Sequence, residues 1–532
     1  MTQLFSRTRL GQVVLLFFAT QASLWGQVGG LVGTVSISLD AADATDEPTY
    51  LVAGVSLSED AVFQGAVFSV AGNVLTFSQI QDEESPHINL DPFTPGVFAS
   101  SQARATAVID LIDGNLTSIT VDYGGSGYVS TPEVKIAYPD SGVDHLTAIN
   151  AEATATVVSG AITSIDLTVN GLGYTVAPTV TIDGGPHFLR VTETGGTNEG
   201  RFFLITANDG TTITLENLAG EDITTLFSQD VSVEVVPAHT LGSVFGTTSC
   251  LLGDGNSTTA DLVYLYNPSA TDADPDSGYV AFYNDGTEWK RESNGSVSND
   301  VVIYPDEAFI LARRTTSDLD LEFSGNLLSV DMRSMLPASG AKRLQNNPFG
   351  MDVLLTELVA SSNLSTDVSA GTKWYADDDE ETADSLRILD RGVWTTYWHA
   401  NVNVGITTAA TATAVAGTGP TNAISAADLT LNDGGAGYTS DAKVYFVGGG
   451  GTGGHGSATV AGGIVTAITI EDGGTGYVGA PQVVISTGGW RRHHAFDVVA
   501  DDEVISAGAG ILVVRRHPNG AISYLHSDHP SD

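Results

Sequence analysis

The sequence is poor in cysteine and in positive charge, and each shortage excludes a class of protein. Cys250 is the single cysteine in 532 residues, so the chain forms no internal disulfide. Lysine and arginine number 21 against 63 aspartate and glutamate residues, a formal net charge of −42. Proteins that bind the nucleic-acid backbone or anionic lipid need a basic surface. We therefore expect no nucleic-acid partner and no electrostatic attachment to a membrane.

Long apolar runs are also scarce. The run Val13–Ala19 stands out, and it is too short to span a bilayer. Arg7 and Arg9 precede it, and small residues follow it, which is the pattern of a secretory signal peptide. We expect cleavage after Gly26 or Ala22. The sequence thus predicts a secreted or cell-surface protein without a transmembrane segment.

Helical periodicity is rare, and alternation of apolar and polar residues dominates, as in DVSVEVV and TTITLENL. The 60 glycines and the recurrent Asn-Asp-Gly turns separate these short runs. This pattern predicts an all-β chain of several small barrels or sandwiches in tandem, with inserted β repeats and very little helix. Short helices are expected only near 330–339 and 351–362.

One motif occurs four times: GGSGYVSTPEV (124–134), NGLGYTVAPTV (170–180), GGAGYTSDAKV (434–444) and GGTGYVGAPQV (473–483). Glycines lie three and one residues before each tyrosine, and a valine lies six after it. The positions that we expect to build the repeat are Gly127, Tyr128, Gly173, Tyr174, Gly437, Tyr438, Gly476 and Tyr477. Since one copy cannot bury an apolar face alone, each sequential pair is predicted to form one β unit.

The repeated tyrosine has two interpretations. Its ring can cover the bare backbone of a neighbouring glycine and so act in the fold. Alternatively, exposed aromatic rings on a β surface can stack on sugars. The candidates for sugar stacking are Tyr128, Tyr174, Tyr438, Tyr477, Trp394, Tyr397 and Trp398. Repetition of tyrosine at one fixed place in the unit favours the structural interpretation.

A second, longer duplication surrounds the Gly-Tyr pairs. Two segments begin with an Ala-Asp strand, continue to a tryptophan strand (Trp289 and Trp394) and end in two arginines. The resulting division is a signal peptide (1–26), an N-terminal β segment (27–100), a Gly-Tyr pair (101–186), a β meander or barrel (187–248), a first Trp-strand module (249–345), a second one split into 346–402 and 488–532, and a second Gly-Tyr pair (403–487).

Several segments together resemble a known family. They are VFQGAVFSVAGNVLTFS, EGRFFLITANDGTTITLE, VPAHTLGSVFG and the module ending GAGILVVRR. In this order they resemble an uncharacterised paralogous family of secreted proteins from Verrucomicrobia-like bacteria, which implies export and an all-β fold but no activity. The Gly-Gly-x-Gly-Tyr repeats resemble those of phage structural proteins and bacterial surface proteins.

A calcium loop is the best-supported metal site in the sequence. Asp272, Asp274 and Asp276 alternate in TDADPDSG, and alternate carboxylates in a tight turn can converge on a cation. The EF-hand pattern is incomplete, because Ser277 replaces the glycine and Tyr283 replaces the closing glutamate. An acidic surface hairpin is the alternative, and calcium is the one cofactor that we consider.

Other chemistry is weakly supported. The acidic run at 377–381 is typical of a solvated loop, and the 11 histidines show no zinc-binding spacing. No Gly-x-Ser-x-Gly elbow occurs, and Cys250 has no adjacent histidine. We therefore expect a non-enzymatic structural or adhesive protein, with itself or surface polysaccharide as partner. Carbohydrate binding is the alternative, and a polysaccharide hydrolase is the less favoured one.

Overall fold

The computed structural model describes most of the chain between Val32 and Ser527. The described residues are 32–42, 48–81, 89–139, 148–193, 196, 198–217, 220–267, 278–328, 330–359, 363–365, 367–377, 380–390, 393–400, 408–418, 420–438, 442–447, 449, 451–486, 489–493, 495–501 and 503–527. Among them, no helix has the length and apolar character needed to cross a membrane.

The first half of the chain contains strands β1 to β20. They are β1 (Val32–Leu39), β2 (Thr49–Gly54), β3 (Phe63–Ala66), β4 (Ser69–Ala71), β5 (Val74–Thr76), β6 (Ile80–Gln81), β7 (Asn89–Leu90), β8 (Arg104–Asp110), β9 (Asn115–Tyr123), β10 (Val134–Ile136), β11 (Glu152–Val158), β12 (Ala161–Val169), β13 (Val180–Ile182), β14 (His187–Val191), β15 (Phe202–Asn208), β16 (Thr212–Leu215), β17 (Ser232–Pro237), β18 (Leu262–Tyr266), β19 (Tyr279–Asn284) and β20 (Trp289–Arg291).

The second half contains strands β21 to β40. They are β21 (Ala308–Arg313), β22 (Leu319–Asn326), β23 (Met332–Leu336), β24 (Lys342–Asn346), β25 (Val353–Leu354), β26 (Leu364–Ser365), β27 (Trp374–Tyr375), β28 (Ser385–Asp390), β29 (Val393–Ala400), β30 (Thr411–Ala414), β31 (Leu429–Asp433), β32 (Lys443–Val447), β33 (Thr452–Ala461), β34 (Ile464–Thr475), β35 (Gln482–Ser486), β36 (Gly489–Arg492), β37 (Ala495–Val499), β38 (Val504–Ile505), β39 (Gly510–Val514) and β40 (Ser523–Ser527).

The helices are short. They are α1 (Ile223–Leu226), α2 (Leu241–Phe245) and α3 (Leu355–Leu358), with 3₁₀ turns at Pro420–Asn422 and Ala426–Asp428. Strand accounts for 49% and helix for 5% of the structure, which confirms the all-β prediction. The helix expected near 351–362 shortens to α3. The helix expected near 330–339 is wrong: burial alternates along β23, which pairs with β40.

The first β-sandwich, module 1 below, consists of β1, β2, α2 and β18 to β22. Its sheets have the strand orders β2-β21-β18-β19-β20 and β1-β22. A shared core contains Trp289, Phe245 and Phe309, with Phe245 against both of the other rings. Two strands from the predicted N-terminal segment thus complete a sandwich whose other strands lie some 200 or more residues later.

The second β-sandwich, module 2 below, repeats this arrangement. It consists of β23, β24, α3, β28, β29, β36, β37, β39 and β40, with the sheet order β24-β39-β28-β29-β36-β37 and the pair β23-β40. Its core holds Trp374, Trp490 and Leu386. Strand β23 lies before residue 346 and β24 ends at it, yet both strands belong to this sandwich.

Matching hydrogen bonds identify Trp490, and not Trp394, as the counterpart of Trp289. The amide of Trp289 donates to Asn299 Oδ1 (2.8 Å), and the amide of Trp490 donates to Asp501 Oδ1 (2.6 Å). Trp394 lies one strand earlier, on β29. The prediction that Trp394 marks the tryptophan strand of module 2 is therefore wrong. The inserted Gly-Tyr pair separates β29 from the strand that corresponds to β20, which is β36.

The two modules pack about a local pseudo-twofold axis. The bridge between Ala53 and Ala509 has a symmetric counterpart between Gln345 and Glu307. The Gly54 amide donates to the Gly508 carbonyl (3.0 Å) in the same interface. A small apolar cluster that includes Val52, Ala308 and Leu344 fills the interface. The molecule is thus an internal dimer of two related sandwiches.

Each module carries insertions between its strands. Module 1 is interrupted between β2 and α2 by a seven-stranded sheet of order β3-β17-β14-β15-β16-β5-β4 and by the first Gly-Tyr unit, β8 to β13. Module 2 is interrupted between β29 and β36 by the second Gly-Tyr unit, β30 to β35. The strands on either side of each insertion still pair within their own sandwich, β2 with β21 in module 1 and β29 with β36 in module 2.

Candidate functional site

The four repeated tyrosines lie in the interior, and each phenol makes the same hydrogen bond. Their exposed fractions are 2% for Tyr128, 3% for Tyr174, 5% for Tyr438 and 0% for Tyr477. The phenol oxygens accept from the backbone amides of Ala103 (2.9 Å), Ala151 (3.0 Å), Ala410 (2.6 Å) and Gly454 (3.1 Å), in that order. We call this arrangement the tyrosine clamp.

Each clamp joins the two ends of its own repeat. The middle residue of each Gly-x-Gly turn forms a β pair with a residue at the start of the same repeat. The amide that the tyrosine binds lies two residues after that paired residue. The four pairs are Ser101 with Ser126, Ile149 with Leu172, Thr408 with Ala436, and Thr452 with Thr475. The clamp therefore fastens the opening strand of a repeat to its glycine turn.

The glycines are required by backbone conformation as well as by space. All eight glycines that flank the four turns have φ between +61° and +95°. At Gly125 (φ +64°), an added Cβ would lie 2.3 Å from the Ser101 carbonyl oxygen and 2.8 Å from Cε2 of Tyr128. The tyrosine ring thus occupies the place that a side chain at this glycine would need.

Within each unit, the two repeats exchange contacts reciprocally. The amide of Tyr128 donates to Gly160 in the hairpin of the next repeat, and the amide of Tyr174 donates to Gly114 in the hairpin of the first. The pseudo-twofold axis that relates these two repeats passes near the antiparallel pair of Ile119 and Ile165. The second unit repeats the exchange through Tyr438 with Gly463 and Tyr477 with Asn422. One repeat therefore completes the other.

These positions prevent the repeated tyrosines from stacking on a sugar. Tyr397 and Trp398 are also buried, each with an exposed fraction of 1%, and Trp394 packs against the cluster between the modules. Burial raises the pKa of Tyr128 and of Tyr174, so both phenols stay neutral near pH 7. These residues therefore do not form an exposed aromatic surface on which sugars could stack.

The Arg-Arg ends of the modules bind buried carboxylates. In module 1, Arg313 pairs with Asp261, whose Oδ1 also accepts from the Arg314 amide (2.7 Å). In module 2, Arg515 pairs with Asp384, whose Oδ1 accepts from the Arg516 amide (2.6 Å). Both aspartates belong to the Ala-Asp pair that begins each duplicated segment. The two charge pairs are therefore equivalent parts of the sandwich framework.

A charged group at the interface between the modules comes closest to a catalytic arrangement among the described residues. Arg343 Nη2 donates to Asp306 Oδ1 (2.9 Å), and Glu307 Oε1 accepts from the Tyr266 amide (2.9 Å). Burial raises the pKa of Glu307 to about 7, against the opposing effect of Arg343. Asp306 lines a cavity of about 10 Å³, which has room for about one water molecule. A cavity of this size is too small for a substrate.

The other candidate residues fall into three groups. Asp272, Asp274 and Asp276 lie outside the described residues, so the calcium site stays a prediction. Burial raises the pKa of Cys250 to about 11, which leaves the thiol protonated. The structure also brings together Glu380, Glu381 and His493, which sequence reasoning missed.

Comparison with family models, with curated proteins and with solved structures yields no match to this chain. The resemblance to a secreted paralogous family therefore stays a prediction, and the function must be argued from the molecule itself.

Proposed function

We propose that the protein is a secreted or cell-surface structural protein, without catalytic activity, that associates with further copies of itself. The observation that carries the proposal is the fourfold recurrence of the buried tyrosine clamp. The sequence feature with the strongest repetition is used to build rigid β units. The buried charge pairs Asp261–Arg313 and Asp384–Arg515 likewise hold the framework.

The surface of the first Gly-Tyr unit offers a place for association. The tip of the hairpin between β8 and β9 exposes Leu111 and Ile112, with exposed fractions of 77% and 93%. Val176, 59% exposed, follows Tyr174, whose amide binds Gly114 of this same hairpin. Neighbouring exposed apolar side chains are typical of protein contact sites. The high exposure of Leu111 and Ile112 leaves this tip accessible to another molecule.

The experiment compares the mature chain with the Leu111→Ser/Ile112→Ser double variant by light scattering over a range of concentrations. We expect the wild-type mass to rise with concentration and the double variant to remain closer to a monomer. Phe68→Ser is the matched control, because Phe68 is 54% exposed but lies in the seven-stranded-sheet region. Its mass should follow the wild type.

Two results would contradict the proposal. One is a wild-type protein that stays monomeric at every concentration. The other is release of new reducing ends from a panel of polysaccharides by the same preparation, which would indicate a hydrolase. Binding of the panel without turnover would instead support the carbohydrate-binding alternative through residues other than the buried tyrosines.

A further inference from the structure

Two glutamates and a histidine from distant parts of module 2 meet beside its sheet. Glu380 and Glu381 lie in the loop between β27 and β28, and His493 directly follows β36. His493 Nε2 lies 3.2 Å from Glu381 Oε1 and 4.0 Å from Glu380 Oε1. One ligand atom from each residue falls within 4.8 Å of the other two.

The donor set and its spacing suit a transition metal. An imidazole nitrogen and carboxylate oxygens bind Zn²⁺ at about 2.0–2.2 Å, which places ligand atoms roughly 3.5 Å apart around a tetrahedral ion. The two distances from His493 Nε2, 3.2 Å and 4.0 Å, lie on either side of this value. Calcium is disfavoured, because it prefers sites made of oxygen alone. Three protein ligands would leave a coordination position for water.

The backbone on both sides of the cluster is held in place. The His493 amide donates to the Thr396 carbonyl on β29 (2.9 Å). Arg516 Nη1 donates to the Glu380 carbonyl (3.0 Å), so the module's Arg-Arg end anchors the acidic loop. Arg516 also lies 4.0 Å from Oε2 of Glu381, on the other oxygen of that carboxylate. This contact leaves Oε1 of Glu381 directed to His493.

Comparison of the modules shows that the sandwich does not need this cluster. The corresponding positions in module 1 are Ser257, Thr258 and Glu292. Arg314 Nη1 donates to the Ser257 carbonyl, as Arg516 Nη1 does to the Glu380 carbonyl. The Glu292 amide donates to the neighbouring strand, as the His493 amide does. Module 1 therefore forms the same framework without an imidazole and without the two adjacent glutamates. The cluster is an addition to module 2, next to the strand that resumes after the inserted Gly-Tyr unit.

We propose that Glu380, Glu381 and His493 form a binding site for a divalent transition metal such as Zn²⁺. The metal joins the loop before β28 to the end of β36, and it thereby fixes the strand at which the chain returns from the insertion. In a chain with one cysteine, a metal provides the cross-link that a disulfide cannot. The exposed fractions of the side chains, 17% for His493, 23% for Glu380 and 65% for Glu381, leave the site open to solvent ions.

The test is titration of the metal-stripped mature chain with Zn²⁺ by calorimetry, together with Co²⁺ absorption as a report of coordination. We expect wild-type binding that Ca²⁺ does not displace, and a visible Co²⁺ band of a low-coordinate site. His493→Gln and Glu381→Gln should each weaken Zn²⁺ binding roughly tenfold or more. Glu381 is exposed enough that its variant should fold normally, as the unchanged melting temperature of the metal-free protein would show.

The matched control is His526→Gln. His526 Nε2 lies 2.7 Å from Asp331 in the same module, but that pair is not part of a three-residue cluster in the described part of the chain. Zn²⁺ affinity in this variant should equal that of the wild type. The proposal fails if wild-type protein does not bind Zn²⁺, or if binding is equally strong in the His493 and Glu381 variants.

Discussion

Asp384→Asn should lower the free energy of unfolding of module 2 by about 3–5 kcal/mol, because it leaves a buried arginine without its counter-charge. Asp384 and Arg515 both have fully buried side chains. The carboxylate also accepts from the amides of Tyr375, Arg516 and His517. The amide of asparagine can replace only part of this acceptor set, and it carries no charge.

Urea unfolding monitored by tryptophan fluorescence would measure this loss, since Trp374, Trp398 and Trp490 lie buried in module 2. Asp261→Asn gives the matched experiment in module 1, where the equivalent pair with Arg313 should produce a similar loss. Asp320→Asn, an exposed aspartate on β22, should change stability by no more than about 0.5 kcal/mol. A loss at Asp384 as small as that at Asp320 would contradict the framework role of the charge pair.

Gly435→Ala should destabilise the second Gly-Tyr unit by about 3 kcal/mol, the upper end of the cost of a strained backbone position. Gly435 has φ +61°, and a Cβ there would lie 2.4 Å from the Thr408 carbonyl oxygen and 2.6 Å from the Ala410 nitrogen. Ala410 is the residue whose amide binds Tyr438. The methyl group would therefore push the clamped strand away from its tyrosine.

Gly462→Ala is the matched control in the same unit. Gly462 has φ +63°, but no atom lies within 4 Å of the place that a Cβ would occupy, so only the conformational cost of about 1 kcal/mol remains. Calorimetric unfolding and hydrogen exchange of peptides from 408–438 would measure both variants in the full chain. Equal losses at the two glycines would show that the close packing at the clamp contributes nothing.

The sequence indicated the elements of the Gly-Tyr unit more fully than their arrangement. Spacing around Tyr128 and Tyr174 predicted strands, a glycine turn and assembly in pairs. It could not predict that each tyrosine amide binds the hairpin of the other repeat, because Gly114 and Gly160 are ordinary turn glycines in sequence. The local alternation of apolar and polar residues indicates which segments are strands. The hydrogen bonds between the two repeats depend instead on how the strands pack together.

The framework and the metal cluster show the same limit at longer range. The Arg-Arg ends of the modules are recognisable in the sequence, but their carboxylate partners are not. Asp261 lies 52 residues from Arg313, and Asp384 lies 131 residues from Arg515. Glu381 and His493 are separated by 112 residues, with a whole Gly-Tyr unit between them. Neither residue carries a local spacing signal for metal binding. Only the duplicated fold brings these groups together.

The central claim is that the repeated tyrosines are structural clamps, and nitration with tetranitromethane tests it most directly. Native protein would be treated briefly, digested, and each tyrosine assigned by mass spectrometry. Tyr138, 49% exposed in the first Gly-Tyr unit, serves as the internal reference. We predict that Tyr138 is nitrated while Tyr128, Tyr174, Tyr438 and Tyr477 are protected until the protein is unfolded. Nitration of these four in the native protein at the rate of Tyr138 would contradict the clamp and return them to the surface as binding residues.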